Sequence, residues 1–542
     1  MKYTGINIGP IIPTISMGRK PREIWSASYM FSFLMECIIN EISKKEGVKI
    51  ISPAKLKKEE NPSEKEEENK HEGIGLYPDR VFIQGEFNDV QSTVDEALKT
   101  FCNLTGICRD YVNVMHVTIE GKDSNEDKES IECLNRLLDC TELCNHPVNF
   151  KARNSILELI QKKKDSPLFI HGHGKLDFPI PYLAEIATKR LEEVNQCKWS
   201  ELRDKYQGKD SNNDGDEFSP PQIVDFKIDQ GKDSNNDGDE DAFYQELKNN
   251  FKETYKEDFF SFYKYICIVQ ADGDNMGKIV SSISADKVKT VSEALLQYGK
   301  KACEKIKTYG GLSIYAGGDD LLFIAPVRGK NHTIFGLIDE IDKLYESTVD
   351  KSIEPFRPYD KEFNPLHTYL SYGLSISYYK YPLYEAFKDA LSLLFDRAKN
   401  VKGKNALSWR LRKHSGSGFK GELSKSTNIY TDLKGIMDIP VEEKQIAAIA
   451  HKLKTNENLL DVLLKKYKND NNEKELKDRL EYFYEKTMEE TSKDVYTGKT
   501  RELLYKLMVT SGKEANIETI LENMYGMLRT AKFIKGEGDS DE

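Results

Sequence analysis

A chain of 542 residues with a net charge of −11 is too long for a single core, and its acidity excludes a protein that coats nucleic acid by bulk charge. No run approaches the ~18 uninterrupted apolar residues of a membrane span, and the opening MKYTGINIGP lacks a basic-then-apolar signal, so a cytoplasmic protein with no membrane partner is expected. Nine cysteines, an odd number at irregular spacings, read as reduced thiols rather than a disulfide framework.

Residues 1–120 predict a small α+β domain. An extended run from Lys2 to Ile15, broken by Gly5, Gly9, Pro10 and Pro13, precedes a helix over Arg22 to Ser43 with a broad apolar face. The polar charge run from Lys55 to Lys70 has no apolar period and reads as a solvated loop. A strand over Val81 to Gln84, a helix over Val90 to Cys108 and a strand over Tyr111 to Ile119 follow.

Residues 121–255 are less regular and predict a small intervening domain with an acidic low-complexity insertion. GKDSNNDGDE occurs at 208–217 and again at 231–240, with an echo, GKDSNED, at 121–127. Asp210, Asn212, Asp214 and Asp216 imitate the start of a calcium loop. The twelfth position is Pro221 in one copy and Tyr244 in the other, where an EF-hand needs a bidentate Glu, so a surface insertion is expected. Zinc would need four of Cys102, Cys108, Cys133, Cys140, Cys144 and His146 to converge, without the familiar two-residue cysteine spacing. Cys133, Leu137, Cys140 and Cys144 also share one helical face, where free cysteine packs as a small apolar residue, and the zinc question stays open. His171 and His173, on a glycine-rich turn with no acid beside them, read as structural or surface residues.

The segment 256–421 has the richest pattern. In YICIVQADGDNMG an apolar run ends in Asp272 and Asp274, separated by Gly273 and followed by Asn275. In SIYAGGDDLLFIAP two apolar runs flank Gly317, Gly318, Asp319 and Asp320, a hairpin with acids at its tip. Between them, Ala285 to Tyr309 carries apolar residues at three- and four-residue steps. A right-handed crossover from strand through helix to strand sets the two acidic ends side by side. Adjacent carboxylates are ordinary in turns, but crowded ones call for a cation, and four of them could converge on one or two Mg²⁺ or Mn²⁺ ions. A helix over Ile334 to Thr348, a strand over Tyr369 to Tyr378 and a helix over Leu383 to Asn400 complete a ferredoxin-like βαββαβ sheet. From Arg397 to Gly421 there are eight Lys or Arg residues and no acid, which phosphate groups of a nucleotide or RNA would explain, and Lys399 and Lys404 lie close to the acidic edge in sequence. Residues 422–542 read as amphipathic helices, a bundle, with a charged tail.

Asp272-Gly273-Asp274-Asn275-Met276-Gly277, Gly317-Gly318-Asp319-Asp320, and Ala398-Lys399 leading to Gly403-Lys404-Asn405 resemble the Palm, or cyclase, domain of the large subunit of type III-B (Cmr) CRISPR effector complexes. Ile8-Gly9-Pro10, Arg22-Glu23-Ile24-Trp25, Tyr77-Pro78-Asp79-Arg80, Leu176 to Ala187 and His414-Ser415-Gly416 extend the resemblance over nearly the whole chain. It implies an α+β fold of two facing Palm domains, a small domain between them and a C-terminal helical domain that contacts other subunits. It further implies a complex that pairs guide RNA with target RNA, and a second Palm that joins ATP into cyclic oligoadenylate.

By that resemblance Asp272, Asp319 and Asp320 are the catalytic acids and hold two metal ions. Asp274 sits at the rim, Lys399 and Lys404 grip the triphosphate, and Gly273, Asn275, Gly317 and Gly318 shape the nucleotide site. The first Palm, without a Gly-Gly-Asp-Asp, holds the acceptor. Some relatives instead join AMP to S-adenosylmethionine, and a catalytically silent scaffold is a further alternative. A stand-alone diguanylate cyclase does not account for the N-terminal blocks. The first Palm begins at about residue 3 and the chain has no His-Asp doublet, so no HD nuclease activity is expected. The family's zinc cysteines are not cleanly matched.

Overall fold

In the computed structural model, residues 2–55, 75–121, 127–144, 183–189, 261–329, 331–414, 416, 418–439, 443–488, 494–511 and 515–536 are described. The acidic repeats at 208–217 and 231–240, the echo at 122–126, His146, His171 and His173 lie outside them.

Two sheets carry the architecture. The first takes β1 (Lys2–Gly9), β2 (Val48–Ser52), β3 (Arg80–Gly85) and β4 (Asn113–Glu120) in the order β2-β3-β1-β4, with α2 (Pro21–Ile42) and α3 (Val90–Thr105) as its crossovers. β1 pairs antiparallel with both β3 and β4. This is a complete ferredoxin-like unit. The expected extended run to Ile15 ends at Gly9, and the helix α1 (Ile11–Ile15) follows directly on Pro10. Proline fixes φ near the helical value and needs no N–H donor at a helix start, so the Pro10 and Pro13 that break the strand suit the first turns of a helix.

The second sheet repeats the topology and extends it. β5 (Tyr265–Gly273), β6 (Leu312–Tyr315), β7 (Leu321–Pro326) and β8 (Leu370–Tyr378) lie in the order β8-β5-β7-β6, linked by α7 (Ala285–Tyr309) and α8 (Ile334–Tyr345). Between these sheets in sequence stand α4 (Asp127–Cys144) and α5 (Leu183–Ala187), and the short α6 (Met276–Ser281) follows β5. β5 is central, and Tyr265 to Ala271 are all buried, as a strand covered on both faces requires. After β8, α9 (Leu383–Ser392) leads through a π turn, Leu393–Arg397, to β9 (Ala406–Arg412), which lies parallel to β8, and β10 (Gly418–Ser424) closes the edge. These last two strands come from the basic segment. Leu407, Trp409, Leu411, Phe419 and Leu423 alternate and are buried, a strand period that the interleaved Arg and Lys residues obscure.

Gly373 of β8 lets α9 and its π turn approach, since a Cβ there would stand 2.2 Å from the Ala390 carbonyl oxygen and 2.5 Å from the Leu394 amide nitrogen. Gly373→Ala is therefore expected to destabilise the protein by about 1–3 kcal/mol, the usual cost of overpacking, in a urea titration. The helices α10 (Asn428–Asp438), α11 (Glu443–Thr455), α12 (Glu457–Asp470), α13 (Glu473–Thr487), α14 (Val495–Ser511) and α15 (Ile517–Lys535) form the expected C-terminal helical region. α15 covers the edge strand β10, with Trp409 Nε1 donating to Thr530 Oγ1 at 2.9 Å.

The apolar-face reading of the cysteine helix fails. On α4, Cys133 and Cys140 are exposed and Leu137 is 37% exposed, while Ile131, Leu134 and Leu138 carry the packing. Cys133 and Cys140 lie two and nine residues from Ile131, which turns them by about 200° and 180° away from the buried stripe. Among the described residues no group of three or more His, Cys, Asp or Glu is drawn together as a metal nest, and zinc gains no support from these cysteines. No described helix is long and apolar enough to cross a membrane.

The two Palm-like sheets are joined through the β6–β7 hairpin. Gly75 bridges Tyr315, and the Ala316 N–H donates to the Gly75 carbonyl at 2.8 Å. The Ala54 N–H donates to Ser292 Oγ at 2.7 Å, and Lys49 pairs with Asp286 of α7. The segment Gly75–Arg80 thus runs beside the acidic turn of the second sheet.

Candidate active site at the acidic strand ends

Asp272 is the penultimate residue of β5, opposite Ser371 of β8, and the Gly317–Asp320 turn joins β6 to β7 on the other side of β5. Gly273 brings the two acidic stretches together. A Cβ on it would meet Asp319 Oδ2 at 2.5 Å and the Tyr345 hydroxyl at 2.9 Å, so only glycine lets Asp319 lie over the end of β5. Gly318 has φ +66°, a left-handed turn that glycine adopts without strain. Tyr345 is held in place by a 2.9 Å hydrogen bond with Thr368 Oγ1.

Electrostatics confirm the crowding. Burial pushes the Asp319 carboxyl up to about 7, with the Asp272 charge adding to it. Asp320 is raised well above the usual carboxylate range by burial, then by Asp272, Asp319 and Asp79. Asp272 is also raised by burial, against the pull of Lys399. Three half-buried carboxylates that repel one another fit hard divalent cations by charge and by donor type. As they stand they are not drawn into a closed ligand nest.

Lys399 occupies the centre of the upstream turn. Its ammonium lies 2.8 Å from Asp272 Oδ2 and donates at 2.9 Å to the carbonyls of Asp272 and Gly273 and to Asp274 Oδ1. Burial pulls the ammonium down, but Asp272 and Asp274 outweigh it and hold its pKa above the ordinary lysine value.

The structure corrects the placement of Asp274. It is not at a rim but fully buried, with 0% exposure. Oδ2 accepts from Ser371 Oγ at 2.7 Å and from the Asn405 N–H at 2.8 Å, and Oδ1 takes Lys399. Both oxygens are committed to protein partners, so Asp274 is a fixed counter-charge for Lys399. Asn275 likewise turns inward: φ is +63°, and its side-chain amide donates to the His367 carbonyl at 3.0 Å, shaping the turn. Lys404 also has a left-handed φ of +55°, and its charge favours ionised Asp272.

Asp79, from the first sheet's domain, was legible only as part of the Tyr77–Arg80 block, with no role attached to it. It is a half-buried acid facing Asp320, and burial raises its carboxyl against the pull of Arg80. A cavity of about 500 Å³ opens between the domains, bounded by Asp79, Asp320 and Asp396 and by apolar walls that include Ile11, Ile15, Phe387 and Leu391. Among the described residues that line it, none is Lys or Arg.

Family models match the chain at residues 265–408, as the second palm domain of Cas10/Cmr2, and at residues 3–104, as the N-terminal part of the CRISPR-associated protein Cmr2. The CRISPR system Cmr subunit Cmr2 of Pyrococcus furiosus is 32% identical over 180 residues, covering 28% of this chain and 19% of that protein, so the match spans about a fifth of the relative's length. A cryo-EM structure of a type III-B Cmr-beta complex in its apo state superposes with a TM-score of 0.52 at 12% identity, over 99% of this chain and 82% of that one, which shows a shared fold. A Cmr-beta structure bound to cognate target RNA covers 90% of this chain and 78% of that one, at 13% identity and a TM-score of 0.48.

Proposed function

Because the chain belongs to the Cas10/Cmr2 family of large subunits, we propose that it transfers adenylyl groups from ATP, making a nucleotide messenger such as cyclic oligoadenylate and releasing pyrophosphate. The observation that carries this reading is the meeting of Asp272, Asp319 and Asp320 where the end of β5 faces the β6–β7 turn. In this reading the chain works within a type III-B complex, alongside other Cmr subunits, guide RNA and target RNA.

Asp272, Asp319 and Asp320 would hold two Mg²⁺ or Mn²⁺ ions, which when bound activate the attacking ribose hydroxyl and neutralise the departing pyrophosphate. The chain's own residues bind and orient. Lys399 fixes positive charge at the turn, beside the acids. Asp274, itself fixed by Ser371 and the Asn405 amide, holds Lys399 from behind. Gly318, with only Pro78 within 4 Å of where a Cβ would stand, leaves room for the phosphates to approach the backbone, while Gly273 admits Asp319 and Gly317 the Tyr315 ring. The cavity between the domains, with Asp79 on the first domain's side, seats the acceptor.

The test is assembly with guide and matching target RNA, then labelled ATP with and without S-adenosylmethionine, with products identified by mass. An AMP-containing product with matching pyrophosphate supports the reading. A complex that binds target RNA but yields no such product would make the chain a silent scaffold.

The charge of the cavity favours a second reading for the acceptor. Asp79, Asp320, Asp396 and the apolar walls, with no Lys or Arg among the described lining residues, offer a triphosphate no counter-charge but suit an acceptor with a positive sulfonium and ammonium on an apolar body. S-adenosylmethionine has that chemistry. Asp79→Asn is then expected to lower the yield of an S-adenosylmethionine conjugate about tenfold while leaving ATP-only products within about twofold, since one charge contact is worth roughly 1–2 kcal/mol. Equal loss of both products would remove the case for a cationic acceptor.

A further inference from the structure

The basic segment divides in the fold. Lys399 and Lys404 go to the acidic turn, whereas Arg410, Arg412 and Lys420 come to the face of β9 and β10 opposite the buried Trp409 face. Register sets Lys420 directly across from Arg410, and like charges in that position destabilise a strand pair unless something negative lies over them. Asp389 of α9 is the principal acid there, and both its oxygens are used: Oδ1 by Arg410 at 2.6 Å and Arg412 at 3.0 Å, Oδ2 by Arg412 at 2.6 Å. The Arg410 Nε–H, buried beneath this face, finds no acceptor among the described residues. Arg397, at the end of the π turn, reaches only 4.0 Å from Glu422, and the exposed Lys420 ammonium is held below its usual value by Arg410, by burial and by Arg397. Four cations thus share this face with Asp389, Glu422 and Glu385, which acts on Arg412, in a chain that is acidic overall.

We propose that this face binds the phosphate backbone of a single RNA strand. Arg410 and Arg412 are two residues apart along a strand, about 7 Å, a step comparable with that between successive phosphates of an extended strand. Guanidinium forks suit phosphate oxygens. The overall acidity of the chain disfavours a second copy of itself as the occupant. Only the choice of RNA rests on the functional reading above, and the test needs no ATP, so its failure leaves adenylyl transfer untouched.

The experiment titrates the full chain into a fluorescein-labelled 20-nucleotide single-stranded RNA and follows anisotropy at several salt concentrations. Lys420→Ala with Arg397→Ala, both on solvent-facing side chains, is compared with wild type and with Lys465→Ala on α12. Thermal melts establish that the variants fold. The double variant is expected to bind about tenfold more weakly at 0.1 M salt, and its log–log salt slope to flatten by about 1.4, two phosphate contacts at roughly 0.7 each. Wild-type affinity and slope in the double variant would overturn the proposal. So would an equal loss in Lys465→Ala, which would mean bulk charge, or a polyglutamate peptide that binds this face while RNA affinity is unchanged.

Discussion

Replacing Asp319 and Asp320 together with alanine is expected to lower ATP-derived product by about a thousandfold or more while raising the melting temperature of the metal-free protein. The loss follows from removing two of the three acids at the site, where stabilising developing charge is worth roughly 4 kcal/mol or more. The gain in stability follows from the same acids. Burial and the Asp272 charge disfavour their ionised forms, so folding works against them whenever nothing positive balances them. Mass analysis of products and scanning fluorimetry read the two effects separately. Product that persists in the double variant would move the active site elsewhere.

The pH dependence carries the same sign. Asp319 is raised from 3.8 to about 7, so between those values the folded chain holds a proton that the unfolded chain has released. Stability of the metal-free protein should therefore fall as pH rises through about 4 to 7, then level off as far as Asp319 is concerned. Asp320, raised by the same neighbours, acts in the same direction. Magnesium, which favours the ionised acids, should restore stability at pH 8, and the double alanine variant should show neither the slope nor the rescue.

The core of the second Palm-like domain was legible because its signals are local. Ala285–Tyr309 has helical spacing and a left-handed Gly310 at its end, and the two acidic turns sit between apolar runs that could only be strands. The twin ferredoxin-like sheets follow from repeating one strand and helix order. What sequence pattern obscured depends on pairing across distance. β9 and β10 were hidden because the Arg and Lys residues on their outer face dominate the composition, and the alternation of Leu407, Trp409 and Leu411 gains meaning only beside β8. Asp79 acquires a role only when Gly75 bridges Tyr315. Asp274 was misplaced because an acid two residues from Asp272 looks equivalent to it on a strand, where such residues share a face, whereas β5 ends at Gly273 and Asp274, past the strand end, is taken up by Ser371 and the Asn405 amide.

That burial makes Asp274 the residue whose loss should be felt in two ways. Asp274→Ala leaves the Asn405 amide and the Ser371 hydroxyl without their acceptor and removes a partner from Lys399; breaking a buried pair of this kind costs about 3–5 kcal/mol. Asp274→Asn is gentler on the fold, because the amide oxygen can still accept from Ser371 and Asn405, but its NH₂ then faces the Lys399 ammonium. If Asp274 acts by positioning Lys399, Asp274→Asn should lower kcat by about tenfold or more in the wild-type background and by less than about twofold in Lys399→Met. A double-mutant cycle on product formation measures this, and an interaction of at least about 1 kcal/mol is expected for groups in direct contact. Additive effects would mean that Asp274 supports only the strand ends, and that Lys399 is held in place by Asp272 and the two carbonyls alone.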